Sequence, residues 1–177
     1  MSRQMFREML WWSTTNGTAV ANTTTETILM PNQTVFANYM QAGRVVTGEC
    51  WAQIGATSTP TMTFALRWGG VSGTVLAQTA AATLAAVTAA IVHITFNIVT
   101  RADGASGSLL AFLMIDWGAT IKSTNVPDLG GSAGATTPAA VTVDLTQDTA
   151  LSLTAKWGTA NSSNTITGMT YLGNSEN

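Results

Sequence analysis

The residues able to perform catalytic chemistry are few in this chain. Its one histidine, His93, is not accompanied by a Gly-x-Ser-x-Gly nucleophile motif, so Ser-His-Asp catalysis is not indicated. Glu49, Asp116 and Asp144 are the candidates for glycoside hydrolysis by two carboxylates, but their spacing pairs none of them. A calcium site needs several carboxylates in one loop, and only Asp144 and Asp148 approach that pattern. We therefore predict no catalytic residue, no metal and no cofactor, and a protein that is not an enzyme.

Tryptophan is the remaining candidate for binding chemistry. Trp68, Trp117 and Trp157 each follow a charged residue, precede a glycine and end an apolar run. Together with Asn and Thr side chains they could form a stacking platform for sugar rings. Alternatively, they close the ends of the core or pack at subunit contacts, where tryptophan is favoured. Their position at strand ends favours the second interpretation.

The composition narrows the class of partner. Charged residues make up 9% of the 177 residues, against about 25% in ordinary soluble domains, and the net charge of −2 gives no basic surface for nucleic acid. No apolar run is long enough to cross a bilayer, and residues 1–12 do not resemble a signal peptide, so we expect synthesis in a cytoplasm and no membrane partner. The single cysteine, Cys50, excludes an internal disulfide; we predict a small buried residue, with a reactive thiol as the alternative.

Side-chain alternation predicts the fold class. In residues 61–70 and 91–101 large apolar side chains occupy every second position, as in a strand with one buried face. Eight to ten such segments separated by turns predict an all-β protein, an antiparallel two-sheet sandwich of jelly-roll type. The residues predicted to lie between the sheets are Met62, Phe64, Leu66, Val92, Ile94, Phe96, Leu151 and Leu153.

Four local expectations accompany this fold. Gly48 inside a strand suggests a β-bulge. The almost wholly apolar residues 109–117 suggest a strand buried on both faces. The Ala- and Thr-rich residues 75–90 suggest an extended, weakly specified segment, and residues 125–138, rich in Gly and Pro, suggest a long loop.

The first twelve residues differ from the rest of the chain. Met5, Phe6, Met9 and Leu10 fall at helical spacing and are followed by two tryptophans. They could form a short helix that closes one end of the chain's own core, or an arm that docks on another subunit. We divide the chain into an apolar N-terminal arm (1–12), a Ser/Thr-rich connector (13–27) and a β-sandwich (28–177). The predicted partner-binding anchors are Phe6, Met9, Leu10, Trp11 and Trp12.

Several motifs carry a resemblance to a known group of proteins. Four segments resemble small all-β virion proteins of tailed bacteriophages: the strand that ends in Arg-x-Gly-Gly (61–70), the following GTVLA (73–77), the strand that ends in Thr-Arg before a Gly-rich turn (98–104), and the late sequence LSLTAKWGTANSSNTIT (151–167). Members of that group are jelly-roll proteins that decorate the capsid or lie in the tail. The arm is not part of the shared pattern.

The resemblance implies a structural virion protein with no active site. We expect a capsid decoration or cement protein that binds between capsid subunits. The alternative is a tail-associated module that binds a receptor or a glycan. The expected partners are sister subunits, in a homotrimer, and the major capsid protein, and the expected location is the virion.

Overall fold

The computed structural model describes residues 6–118, 120–122, 127–132 and 138–176. These residues form fourteen β-strands connected by turns and loops. The strands are β1 (Arg7–Trp12), β2 (Val20–Ala21), β3 (Thr27–Ile28), β4 (Gln33–Val35), β5 (Val45–Ala56), β6 (Thr61–Trp68), β7 (Thr74–Thr79), β8 (Ala82–Thr83), β9 (Val87–Ala102), β10 (Gly107–Asp116), β11 (Asp128–Gly131), β12 (Val141–Val143), β13 (Thr149–Trp157) and β14 (Thr165–Glu176).

The strands pair antiparallel in the order β1-β14-β5-β9-β10-β11-β7-β6-β13-β3. We call β1-β14-β5-β9-β10 the front sheet and β7-β6-β13-β3 the back sheet; β11 joins them by pairing with β10 and with β7. The two sheets share one continuous hydrophobic core. The prediction of an antiparallel all-β sandwich is therefore confirmed, whereas the jelly-roll connectivity stays a prediction.

The core follows the alternation of the sequence. In β6 the side chains of Met62, Phe64 and Leu66 are fully buried, and of the residues that alternate with them Thr61, Thr63 and Arg67 are partly exposed while the small Ala65 is buried. Val92, Ile94 and Phe96 of β9 are buried in the same alternating way. All eight predicted core residues are buried.

The three tryptophans at strand ends are buried, and each donates a hydrogen bond. The indole Nε1 of Trp68 bonds the carbonyl of Asp144 at 3.3 Å, that of Trp117 bonds Asp128 Oδ2 at 2.7 Å, and that of Trp157 bonds the carbonyl of Val20 at 3.0 Å. Because a buried tryptophan needs a partner for its N–H, these bonds fix the rings at the ends of the core. The interpretation that they close the core is confirmed.

The N-terminal residues form a strand and not the helix that their spacing suggested. Residues 7–12 are β1, which pairs along the edge of β14 as far as Glu176. The physical reason is the length of β14, whose C-terminal half offers an unpaired edge that no local pattern in residues 1–12 reveals. Residues 1–5 lie outside the described residues.

The Ser/Thr-rich residues 13–27 are hydrogen-bonded to the sandwich. The amides of Ser13 and Gly17 bond the carbonyls of Tyr171 and Gly168, each at 2.8 Å, and β2 pairs with β14. β3 then pairs with β13. This segment therefore crosses from the front sheet to the back sheet.

Three of the four local expectations need correction. Gly48 pairs regularly with Gly173 and Phe96, and the ring of Phe96 fills the space above it, so this glycine makes room for a ring and not for a bulge. Residues 125–138, expected to form a long loop, contain β11, whereas residues 75–90 are largely extended as expected and contain most of β7, all of β8 and the start of β9. In β10 the first residues are buried on both faces, but Phe112 and Met114 are exposed.

Candidate interaction surface

Of the candidate acids, Glu49 and Asp116 lie beside His93, whereas Asp144 and Asp148 lie together in the turn before β13. Glu49 Oε2 lies 3.4 Å from His93 Nε2, and Asp116 is the cross-strand neighbour of His93. Asp144 instead accepts bonds from Thr146 in its own turn, which hold the pKa of its carboxyl below the ordinary value, and Asp148 accepts a bond from the amide of Ala37 at 2.8 Å. Within the described residues no group of three or more His, Cys, Asp or Glu side chains could hold a metal ion.

The outward surface of β1, β14, β5, β9, β10 and β11 is the most distinctive surface of the protein, and we call it the front face. Strand register arranges its side chains in rows that run across the strands. The first row is Met9, Asn174, Thr47, Asn97 and Phe112. The second row is Trp12, Leu172, Glu49, Thr95 and Met114, which is followed by Leu129 on β11.

Each row is apolar at both ends and polar in the middle. We call Met9, Trp12 and Leu172 the β1 bank, and Phe112, Met114 and Leu129 the β10 bank. The polar residues between them, here called the floor, are Asn174, Thr47, Glu49, Thr95 and Asn97. Because the Thr and Asn side chains of the floor are shorter than most side chains of the banks, the surface is a groove, with a volume of about 980 Å³.

The exposed apolar side chains are concentrated on this sheet. Ten large apolar residues are exposed among the described residues: eight belong to the strands of the front face, Phe6 directly precedes β1, and Phe36 follows β4, which pairs with β13 of the back sheet. The eight are Met9, Trp12, Trp51, Ile91, Phe112, Met114, Leu129 and Met169. Exposed apolar patches mark contact surfaces, and here two such patches, the β1 bank and the β10 bank, lie on either side of the polar floor.

The outward surface of the back sheet is different in chemistry. Arg67 of β6 and Thr154 of β13 both donate to the carboxylate of Glu26, and Ser152 donates to Asn32 at 2.6 Å. Ser152 and Thr154 are fully buried as a result. The chain's own residues 26–32 therefore cover this surface, whereas the front face has no comparable cover among the described residues.

The predicted anchors separate into two groups. Phe6, Met9 and Trp12 are exposed by 66%, 57% and 61%, and they remain available to a partner. Trp11 is instead buried in the chain's own core, with its ring centroid 5.9 Å from that of Tyr171. Leu10 lies at the register shift between Met9 and Trp11 and is half-buried. The prediction that Trp11 anchors another molecule is therefore wrong, because its ring packs within the same chain.

The sequence analysis missed the β10 bank. Phe112 and Met114 lie in a run of apolar residues where alternation is invisible, since both faces of the strand carry large side chains. Leu129 lies between glycines and prolines, which suggested a loop. One signal was available in the second half of β10. There Phe112 and Met114, which are exposed, alternate with the branched residues Leu113 and Ile115, which are buried.

Trp51 is the exposed tryptophan in the middle of the sheet. Its indole stacks on the imidazole of His93 with centroids 4.0 Å apart and planes inclined by 14°. Glu49 lies beside this pair. An aromatic ring flanked by polar groups is an arrangement that can contact a sugar.

Comparison of the chain with protein-family models and with curated proteins finds no match. No helix in the part of the chain that the structure describes is long and apolar enough to span a membrane.

Proposed function

We propose that this protein is a structural component of a tailed bacteriophage virion, and specifically a capsid decoration or cement protein. It acts by surface complementarity and without turnover. The observation that carries the proposal is the front face, which holds eight of the ten large apolar side chains that are exposed in the described part of the chain. A surface of this kind is costly for a free protein and useful to one that works inside an assembly.

The composition supports the same function. With 9% charged residues, the surface is rich in short hydroxyl side chains that lose little conformational entropy when a neighbour covers them. The phage-like motifs occupy β6, the turn after β9 and the β13–β14 connection, so the resemblance extends over both sheets. In this proposal the partners are sister subunits, in a homotrimer, and the major capsid protein.

The copy number in particles tests this proposal. Quantitative mass spectrometry of purified particles of the phage that encodes the chain should find it in numbers comparable to the major capsid protein. Particles that lack the protein should lose resistance to heat or low ionic strength. A few copies per particle would contradict decoration and favour a tail position, and absence from particles would contradict both.

The second candidate is a tail-associated module that binds a receptor or glycan, and the stacked pair of Trp51 and His93 favours it. The platform first considered, built from Trp68, Trp117 and Trp157, is not available because these rings are buried. Binding of host surface polysaccharide that quenches tryptophan fluorescence in the native protein, but not in Trp51→Ala, would support the second candidate. Trp12→Ala, which removes an exposed indole elsewhere, is the matched control.

A further inference from the structure

A third row of side chains on the front face is centred on Trp51. It follows the two rows that contain the banks. Strand register places Thr170 of β14 on one side of Trp51 and His93 of β9 on the other. Asp116 of β10 lies beyond His93. In this row an aromatic ring takes the central position on β5 that Thr47 and Glu49 take in the other two rows.

The indole of Trp51 has one face that a ligand can reach. His93 covers the other face, with ring centroids 4.0 Å apart and planes inclined by 14°. Because β14 and β9 lie on opposite sides of β5, the open face is directed toward Thr170, whose short side chain is exposed. The imidazole of His93 is in turn 3.4 Å from Glu49 Oε2. The indole is therefore held in place before a ligand binds, which reduces the entropy lost on binding.

The polar groups around this ring match the hydroxyl groups of a sugar. Glu49 and Gln53 precede and follow Trp51 on the same face of β5; the Glu49 side chain is 41% exposed and Gln53 is exposed. A carboxylate accepts hydrogen bonds, whereas the side chains of Gln and Thr both donate and accept. A sugar ring carries hydroxyl groups around its edge and C–H groups on its faces. One face of such a ring can pack on the indole while its edge reaches these polar side chains.

The charge beside the two rings indicates which class of saccharide fits. Two carboxylates adjoin them: Glu49 beside His93, and the exposed Asp116 as the cross-strand neighbour of His93. Carboxylates repel the carboxylate of an acidic sugar. The hydroxyl groups of a neutral sugar can instead donate strong, charge-assisted hydrogen bonds to them. The site therefore favours an uncharged saccharide over an acidic one.

We propose that the open face of Trp51 and the polar side chains around it form a binding site for an uncharged saccharide. The polar side chains of the site are Glu49, Gln53, Thr170 and Asp116. The inference rests on the second candidate function, and it specifies the position and the chemical class of the ligand. The two can fail separately, because binding of an acidic host polysaccharide through Trp51 would support the second candidate and contradict this inference.

Calorimetric titration of the purified full chain tests the site. The neutral probes are short oligomers of glucose, mannose, galactose and N-acetylglucosamine, and the acidic probes are short oligomers of galacturonic acid and sialic acid. At least one neutral probe should bind, and the acidic probes should bind at least about tenfold more weakly. Trp51→Ala should weaken binding of the neutral probe at least about tenfold, since it removes the ring on which the sugar packs.

Phe112→Ala is the matched control, because Phe112 is 42% exposed and Trp51 is 44% exposed. The two lie on the same face about 17 Å apart, given about 4.8 Å between strands and about 3.4 Å per residue. Phe112→Ala should leave saccharide binding unchanged. Equal effects of the two substitutions would overturn the proposal, as would acidic probes that bind as tightly as neutral ones. Failure of every neutral probe to bind at about 10 mM would also overturn it.

A charge-neutral variant tests the role of the two carboxylates. Glu49→Gln combined with Asp116→Asn keeps the size of both side chains and removes both charges. The combined variant should bind the galacturonic acid oligomer at least about tenfold more tightly than the native protein does. Unchanged discrimination between neutral and acidic probes would show that these carboxylates do not define the ligand class, and the proposed site would be wrong.

Discussion

The indole of Trp11 lies directly over Gly173. A β-carbon on this glycine would overlap the six-membered ring of the tryptophan, and Gly48, the next residue across the sheet, is covered in the same way by the ring of Phe96. Two glycines therefore lie side by side between two aromatic rings, and each ring covers the glycine next to it. Across the strands the order is Trp11, Gly173, Gly48 and Phe96. Both rings also contact Tyr171, at centroid distances of 5.9 and 6.3 Å.

Gly173→Ala should therefore destabilise the protein by forcing the indole out of its site. Overpacking of a core site costs about 1–3 kcal/mol. The measurement is the free energy of unfolding in urea. The matched control is Gly55→Ala in the neighbouring strand β5, where the nearest atom to an added β-carbon is the Thr165 hydroxyl oxygen at 3.1 Å, a side-chain atom that can rotate away. Equal losses in the two variants would show that Trp11 does not need this glycine.

Acid should weaken the attachment of residue 26 to the back sheet. Glu26 accepts two bonds from the Arg67 guanidinium, Nε to Oε1 at 2.5 Å and Nη2 to Oε2 at 2.6 Å. Burial raises the pKa of Glu26, but bonds from Arg67 and Thr154 and the charges of Arg67 and Lys156 outweigh it, so the pKa lies below the ordinary 4.5. A lowered pKa in the folded state means that the stabilisation is complete above pH 4.5 and is lost as the pH falls through the folded value.

The test compares urea unfolding at pH 7 and at pH 3. Native protein should lose stability over this range, and Glu26→Gln should lose less, since its side chain does not titrate. At pH 7 Arg67→Ala should cost about 2–3 kcal/mol, because it leaves a partly buried carboxylate without its cation. If Glu26→Gln loses as much stability between pH 7 and pH 3 as the native protein does, other carboxylates are responsible for the loss.

Alkali should destabilise the protein through Cys50. Burial raises the pKa of this thiol from 9.0 to about 12, and burial also raises the pKa of Tyr171 beside it. A raised pKa in the folded state leaves stability unchanged below pH 9 and reduces it by about 1.4 kcal/mol per pH unit between pH 9 and pH 12. Cys50→Ala should abolish the part of this slope that begins near pH 9. A thiol reagent should modify Cys50 at pH 8 only after denaturant is added; rapid modification of the native protein would contradict the burial.

The contrast between β6 and β1 explains which parts of the fold the sequence can predict. In β6 the alternation of Met62, Phe64 and Leu66 with polar residues is a local signal, and it identified buried positions correctly. β1 has no such signal, because its partner β14 lies more than 150 residues later in the chain, from Leu172 to Glu176. The helical spacing of apolar residues near the N-terminus therefore did not produce a helix, because the long-range pairing of β1 with β14 determines the conformation of this segment.

The same limit applies to the front face. Three of the five predicted anchors, Phe6, Met9 and Trp12, are exposed. They could be proposed from the sequence because large apolar residues near a chain terminus have few local partners. The β10 bank could not, because Phe112 and Leu129 become neighbours only through the pairing of β10 with β11. The groove is thus a product of strand register, which a single sequence does not specify.

Two N-terminal truncations separate the contributions of this segment. Removal of residues 1–6 leaves β1 and Trp11 in place, so the free energy of unfolding should change by less than about 1 kcal/mol. Removal of residues 1–12 deletes the buried indole and uncovers Tyr171, which should cost about 3–5 kcal/mol. Trp11→Phe should cost less than this, because the indole Nε1 has no hydrogen-bond partner among the described residues and the phenyl ring can still cover Gly173. Thermal unfolding followed by circular dichroism measures all three variants, and equal stability of the two truncations would show that β1 contributes nothing to the core.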